Sequence, residues 1–395
     1  MPRPALELAD IFRQHGEAYR ATHALPLPHL RVMRAIETCR TAALGGHVES
    51  CSHCDHTRIS YNSCRNRHCP KCQNSDREQW LQQRQAELLP VEYFHVVFTL
   101  PEEVAAIAFY NQPLVYGILF RAAAETLTTI AGDPKHLGAE IGFFAVLHTW
   151  GQNLLHHPHL HCVVPGGGLA PDRQSWIGCR PGFFLPVRVL SRLFRRLFLQ
   201  ALQQAYDRGE LHFFGDLESL RRPEAFATYL EPLRQSEWVV YAKPPFGGPQ
   251  QVLAYLGRYT HRVAISNRRL ISSQGGQITF DWKDYRHPEK GKRMTLQADE
   301  FIRRFLIHVL PPGFQRIRHF GFLANRYRKE KLALCRKLLT APAADLLPPT
   351  ECCLVLLAAL APPQPRRCPV CGVGEMITTQ ILPAYRWPTR PPDTS

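Results

Sequence analysis

His157-Pro-His-Leu-His-Cys-Val-Val-Pro-Gly-Gly-Gly168 is the stretch on which the reading of this chain turns. Residues 159–164 have the apolar, β-branched character of a strand, closed by a glycine turn. Side chains alternate across a strand, so His159 and His161 leave the same face. Two imidazoles on one face are half of a divalent-metal site. Just upstream, residues 141–150 read as another strand, and a short polar loop joins the two into an antiparallel pair. Gln152 lies seven residues before His159, at the far end of that hairpin, and is the expected third ligand. His148, His156 and His157 compete for the place. An amide oxygen suits Mg2+ or Mn2+ better than a set of three histidines would.

About a hundred residues further on comes Tyr255-Leu-Gly-Arg-Tyr259. The segment 248–262 has a helical pattern, and two phenols four apart share one helix face. A metal to polarise a phosphate and a tyrosine to attack it are what single-strand DNA cleavage through a covalent intermediate requires. A free phenol ionises near 10. The expected metal and the nearby Arg258 and Arg262 would favour its phenolate.

Cys51-x-x-Cys54 and Cys69-x-x-Cys72 stand 14 residues apart in a polar segment with too few apolar residues to make a core. Four thiolates in that pattern predict one closed tetrahedral zinc site, and Cys64 and His68 in the same loop could replace one of the four or help to hold a second ion. Arg65, Arg67 and Lys71 surround it and predict contact with DNA. Cys368-Pro-Val-Cys371 has the form of half a zinc knuckle, with Cys352 and Cys353 as its nearest cysteines.

The chain has 395 residues, room for two or three domains. Its 48 Lys and Arg against 33 Asp and Glu leave +15, which favours a polyanionic partner. Between residues 301 and 340 ten cations stand against one acid, Glu330, and alternate with aromatic residues. That pattern suits a surface for single strands, with Arg303, Arg304, Arg316 and Arg318 as contacts. No apolar run approaches the roughly 20 residues of a membrane span. The N-terminus holds acids where a signal peptide holds an apolar run, so the cytosol is the expected compartment. Thirteen cysteines there read as metal ligands and buried thiols rather than disulfides.

Helices are expected over 4–42 in two pieces, 76–90, 101–130, 188–206 and 297–310. Further strands are expected over 93–100, 237–242, 263–273 and 277–285. Irregular alternation with a hairpin predicts an α+β fold. The expected division is a helical, zinc-binding DNA-recognition module (1–90), a catalytic domain with a basic C-terminal part (91–340), and a proline-rich, partly disordered tail (341–395).

Several strings in order resemble one family. They are Tyr61-Asn-Ser-Cys-Arg-Asn-Arg-His-Cys-Pro-Lys-Cys-Gln73, Tyr93-Phe-His-Val-Val-Phe-Thr-Leu-Pro101, the His157–Gly168 string, Tyr255-Leu-Gly-Arg-Tyr-Thr-His-Arg-Val-Ala-Ile-Ser-Asn267 and Phe301-Ile-Arg-Arg-Phe-Leu-Ile-His-Val-Leu-Pro311. The chain resembles the rolling-circle transposases of the insertion-sequence-91 family, members of the HUH endonuclease superfamily. The resemblance implies a zinc-binding DNA module and an HUH domain, a central antiparallel sheet flanked by helices. His159 and His161 match the metal pair, and Tyr255 and Tyr259 match the paired nucleophiles. It implies nicking of single-stranded element ends through a 5′-phosphotyrosine and rejoining at a target, in a bacterial cytosol at the nucleoid. A replication initiator or relaxase would use the same chemistry. A decayed zinc-dependent DNA-binding protein is a further alternative, against which the intact His159, His161, Tyr255 and Tyr259 argue. A small-molecule hydrolase or oxygenase would leave the charge unexplained.

Overall fold

The structure is a computed structural model and describes residues 6–73, 84–85, 87–243, 263–283, 291–340 and 367–384. Its strands, in chain order, are β1 (Gly46–Cys51), β2 (Thr57–Tyr61), β3 (Tyr93–Thr99), β4 (Gly142–Trp150), β5 (His156–Pro165), β6 (Gly167–Leu169), β7 (Trp176–Gly178), β8 (Val240–Lys243), β9 (Leu270–Gln274), β10 (Gln277–Lys283), β11 (Gly291–Gln297), β12 (Ile317–Gly321) and β13 (Met376–Leu382). The fold is α+β, with antiparallel sheets. Two compact units emerge. The first draws its described residues from 1–79, 261–309 and 348–395, the second from 80–260 and 310–347.

In the second unit the strand order is β12-β4-β5-β3-β8, each neighbouring pair antiparallel. Alternation assigns the faces. Phe94, Val96 and Phe98 of β3, Phe143, Ala145 and Leu147 of β4, and Leu160, Cys162 and Val164 of β5 enter one core. The helices Glu102–Tyr110, Gln112–Gly132, Val187–Asp207 and Pro223–Gln235 contribute to that same core. Each such large apolar side chain contributes roughly 1.5–3 kcal/mol on burial. Pro101 caps the first of these helices, and Glu102 and Glu103 sit in its first turn, where the helix dipole favours acids. The helix Gln112–Gly132 is long and apolar enough to cross a membrane, but Ile118, Leu119 and Leu127 bury it in this core.

The opposite face of the sheet carries a smaller cluster of Tyr93, Phe144, Val146 and Val163. All nine residues of β4 are buried, as a strand covered on both faces requires. Strand β12 lies inside the segment read from sequence as a basic surface run. Gly321 ends it at φ +58°, where a Cβ would meet the Ile141 carbonyl oxygen. Only glycine fits a left-handed turn that close to a neighbouring strand.

In the first unit the helices Leu8–Thr22 and Leu27–Thr38 pack together, joined by an Arg20–Glu37 ion pair at 2.7 Å. Phe12 meets Phe305 of the helix Ala298–Leu306 edge to face, with centroids 5.5 Å apart. That helix packs through Phe301 on Phe280 of the β11-β10-β9 sheet. A second sheet has the order β13-β1-β2.

The structure redraws the expected boundaries. Residues 263–309 join the N-terminal unit rather than the sheet that carries the histidines. Part of the tail returns as β13, with Cys51 opposite Met376 and Gly46 opposite Leu382. The expected helices over 76–90 and 248–262 fall largely or wholly outside the described residues.

Candidate metal centres

Register places the histidines. His148 of β4 stands opposite His159 of β5, and Val146 opposite His161. Opposed residues share a face, so His148, His159 and His161 converge. Their ligand nitrogens lie within 4.8 Å of one another. Ring centroids are 4.4 Å apart for His148–His161, 4.9 Å for His159–His161 and 5.5 Å for His148–His159. His148 and His161 are buried, while His159 is partly exposed and marks the open side. Trp150 stacks on His148 at 4.7 Å.

Hydrogen bonds fix tautomers here. The His159 Nδ1 lies 2.7 Å from the His157 carbonyl oxygen, which can only accept. Nδ1 therefore carries the proton and donates, and Nε2 keeps the lone pair that a metal needs. His161 Nδ1 lies 2.8 Å from Nε2 of His95, a buried residue of β3 on the same face. That contact is the kind of outer bond that orients a metal-binding imidazole. His95 sits inside a string singled out for its strand character, and nothing in its local spacing marks the contact.

Sequence spacing put Gln152 in the third position. The structure brings His148 beside the pair and leaves Gln152 in the turn between β4 and β5. His156 serves the other layer. Its Nδ1 donates to the Ala105 carbonyl at 3.1 Å, and its Nε2 accepts from the Tyr116 hydroxyl at 2.8 Å. Burial pushes His156 down to about 4 and also lowers His157.

The cysteines form two groups. Cys39 caps the helix Leu27–Thr38 and meets Cys64, Cys69 and Cys72 from the loop after β2. Sγ of Cys72 is 3.5 Å from those of Cys39 and Cys64. Zinc–sulfur bonds of about 2.3 Å give tetrahedral edges of about 3.8 Å, so this set fits zinc. Cys51 and Cys54, expected to complete the site of Cys69 and Cys72, lie with Cys368 and Cys371 instead. The hairpin explains the split. Cys51 and Cys54 occupy the β1–β2 turn, whereas Cys64, Cys69 and Cys72 follow the far end of β2. Five strand residues separate those ends by about 17 Å.

Several expected DNA contacts have internal partners. Lys71 pairs with Glu7. Arg303 and Arg304 each grip Glu300 at 2.6 Å and hold its carboxyl down to about 2. Arg316 is buried, and the Arg318 guanidinium lies 4.2 Å from the Phe120 centroid and 5.2 Å from that of Phe314. Arg67 is half-buried, and burial lowers its pKa. Arg65 takes a left-handed φ of +52° next to Cys64. By contrast, Arg188, Arg192 and Arg196 are exposed on one helix, Val187–Asp207. Tyr255, Tyr259, Arg258 and Arg262 lie outside the described residues, in the stretch that follows β8.

The chain therefore joins a histidine cluster on an antiparallel sheet to a separate cysteine-rich unit, and its relatives give that combination a class. Residues 142–331 match the family model described as "Putative transposase", and residues 11–100 match the one described as "Transposase zinc-binding domain". The "Putative transposase y4qJ" of Sinorhizobium fredii is 63% identical over 398 residues, covering 100% of both chains. The "Transposase for insertion sequence element IS801" of Pseudomonas savastanoi pv. phaseolicola is 29% identical over 355 residues, covering 87% of this chain and 82% of its own. No solved structure matches. Its class is that of the transposases, enzymes that cut DNA and transfer strands. Within that class the chain belongs to the IS91 family, with a zinc-binding domain at its N-terminal end.

Proposed function

We propose that this transposase is a two-tyrosine HUH enzyme that nicks single-stranded DNA at its element's ends and rejoins it at a target. The observation that carries the reading is the convergence of His148, His159 and His161 on one face of the antiparallel sheet, with the His159 lone pair set on Nε2. These three residues would hold a divalent ion, which supplies Lewis acidity to the scissile phosphate. Three imidazoles accept Mn2+ better than Mg2+ and also suit Zn2+ or Co2+.

Tyr255 or Tyr259 supplies the nucleophile. Its phenol oxygen loses the proton and forms a bond to phosphorus, while the bond from phosphorus to the 3′ oxygen breaks. The 3′ oxygen leaves as a hydroxyl, and the 5′ phosphate stays on the tyrosine. The phosphotyrosine keeps the bond energy, so a 3′ hydroxyl at the target reverses the step. Arg258 and Arg262, within the same string, favour the phenolate by charge. A second tyrosine lets two strands be held in turn. Zinc in the set Cys39, Cys64, Cys69 and Cys72 would tie the loop after β2 to the end of the helix Leu27–Thr38.

The test is mass spectrometry of the protein after incubation with Mn2+ and single-stranded DNA bearing the element's terminus. A nucleotide adduct on Tyr255 or Tyr259 supports the reading. Tight DNA binding without an adduct would reduce the chain to a decayed, DNA-binding transposase.

A further inference from the structure

Cys51 and Cys54 lie at the tip of the β1–β2 hairpin, and Cys368 and Cys371 lie just before β13, in the same compact unit. The two pairs are more than three hundred residues apart in sequence, Cys54 and Cys368 being separated by 314 positions. All four sulfurs lie within 4.8 Å of one another. The cross-pair distances are 3.7 Å for Cys51–Cys371 and 3.8 Å for Cys54–Cys368. A disulfide requires about 2.05 Å, so these are not bonded pairs. A tetrahedral ion with zinc–sulfur bonds of about 2.3 Å requires edges of about 3.8 Å, as found here.

The backbone around the sulfurs is also built for thiolates. The N–H groups of His53 and Val370 point at Sγ of Cys51 and Cys368, at 3.3 and 3.5 Å, and Gly374 N–H points at Cys371 at 3.4 Å. Such donors stabilise negative sulfur. Gly372, the residue after Cys371, takes φ +69°, which lets the chain turn tightly past the second cysteine. A Cβ on Gly374 would lie 2.4 Å from the Cys51 sulfur, so glycine there admits the close approach of the two turns. The ladder agrees, because β13 pairs with β1 beginning at Met376 opposite Cys51.

We propose that Cys51, Cys54, Cys368 and Cys371 form a second structural zinc site, separate from the first, that fastens the C-terminal segment to the N-terminal module. Both chain ends would then build one zinc-binding unit, and β13 would be held as its edge strand by the metal.

The experiment counts zinc per full-length chain by inductively coupled plasma mass spectrometry after gel filtration. Comparing variants removes any contribution from the histidine cluster. The Cys51→Ser/Cys54→Ser pair and the Cys368→Ser/Cys371→Ser pair should each lose one zinc relative to the parent. The quadruple variant should lose no more than either pair. Two zinc ions lost by the quadruple variant, or none lost by the Cys368→Ser/Cys371→Ser pair, would overturn the shared site. Alkylation of the parent protein covers the case in which a variant misfolds. All four thiols should be protected in zinc-loaded protein and become reactive together after chelation. Reaction of Cys368 and Cys371 at free-thiol rates before chelation would also overturn it. Neither readout depends on DNA nicking.

Discussion

Nε2 of His95 and Nδ1 of His161 lie 2.8 Å apart, and the two rings stack with only 10° between their planes. The contact links β3 to the central strand β5 and leaves His161 little freedom to rotate away from its neighbours. Removing an outer partner of this kind typically costs 10–100-fold in metal affinity or activity. His95→Phe should therefore raise the Mn2+ concentration for half-maximal nicking by 10-fold or more. His95→Gln, whose amide can still accept from Nδ1, should recover most of that. Unchanged Mn2+ dependence in His95→Phe would remove the positioning role.

His148 and Gln152 can be separated by the same titration. His148→Ala should shift the Mn2+ requirement upward by at least 10-fold, on the order of one lost ligand, whereas Gln152→Ala should change it by less than about 3-fold. The reverse ranking would restore the glutamine as third ligand. Mn2+ or Co2+ should also support faster nicking than Mg2+ at equal concentration.

Tyr255→Phe and Tyr259→Phe each keep the ring and remove only the hydroxyl. DNA affinity, read by fluorescence anisotropy, should stay within about 2-fold, because phosphate contacts supply most of it. Strand transfer should be lost in the variant lacking the first nucleophile. A parallel loss of binding in both would point to aromatic packing rather than chemistry.

Burial holds His156 down to about 4, and burial with the neighbouring Arg328 and Arg84 does the same for His319, against an ordinary value of 6.5. The folded protein thus binds fewer protons than the unfolded chain between those values, and stability rises with pH there. The stabilisation is complete above about pH 6.5 and is lost as pH falls toward 4, on the order of 3 kcal/mol per group. Thermal melts from pH 7 to 4 should show the fall. His156→Gln, which keeps polar atoms but does not titrate, should flatten it. A pH-independent melt would contradict these environments.

Arg318 packs its guanidinium over Phe120 and Phe314, so Arg318→Ala should lower the melting temperature rather than DNA affinity. The combined Arg192→Ala/Arg196→Ala change, on an exposed helix face, should do the opposite and reduce the salt dependence of binding. Equal effects on affinity would return Arg318 to the DNA-facing surface.

Local patterns determined much of this protein. The apolar runs at 141–150 and 159–164 are legible as strands without coordinates, and a strand's side-chain period of two puts His159 and His161 on one face. The C-x-x-C pairs announce metal, because two sulfurs three positions apart can reach one ion. Tertiary structure decided which halves belong together. Nothing in the sequence near Cys51 names Cys368 as its partner, since the pairing rests on β13 returning to β1 across more than three hundred residues. His148 joins the pair because strand register, rather than the count of residues, sets what stands opposite His159. Tertiary packing adds contacts that charge alone does not show. The run containing Arg316 and Arg318 reads as a surface for single strands, yet β12 places Arg318 in a sheet with its guanidinium over aromatic rings, and Arg316, just before the strand, is buried. Spacing fixes what a segment can bind, and only the packing of distant segments fixes what it meets.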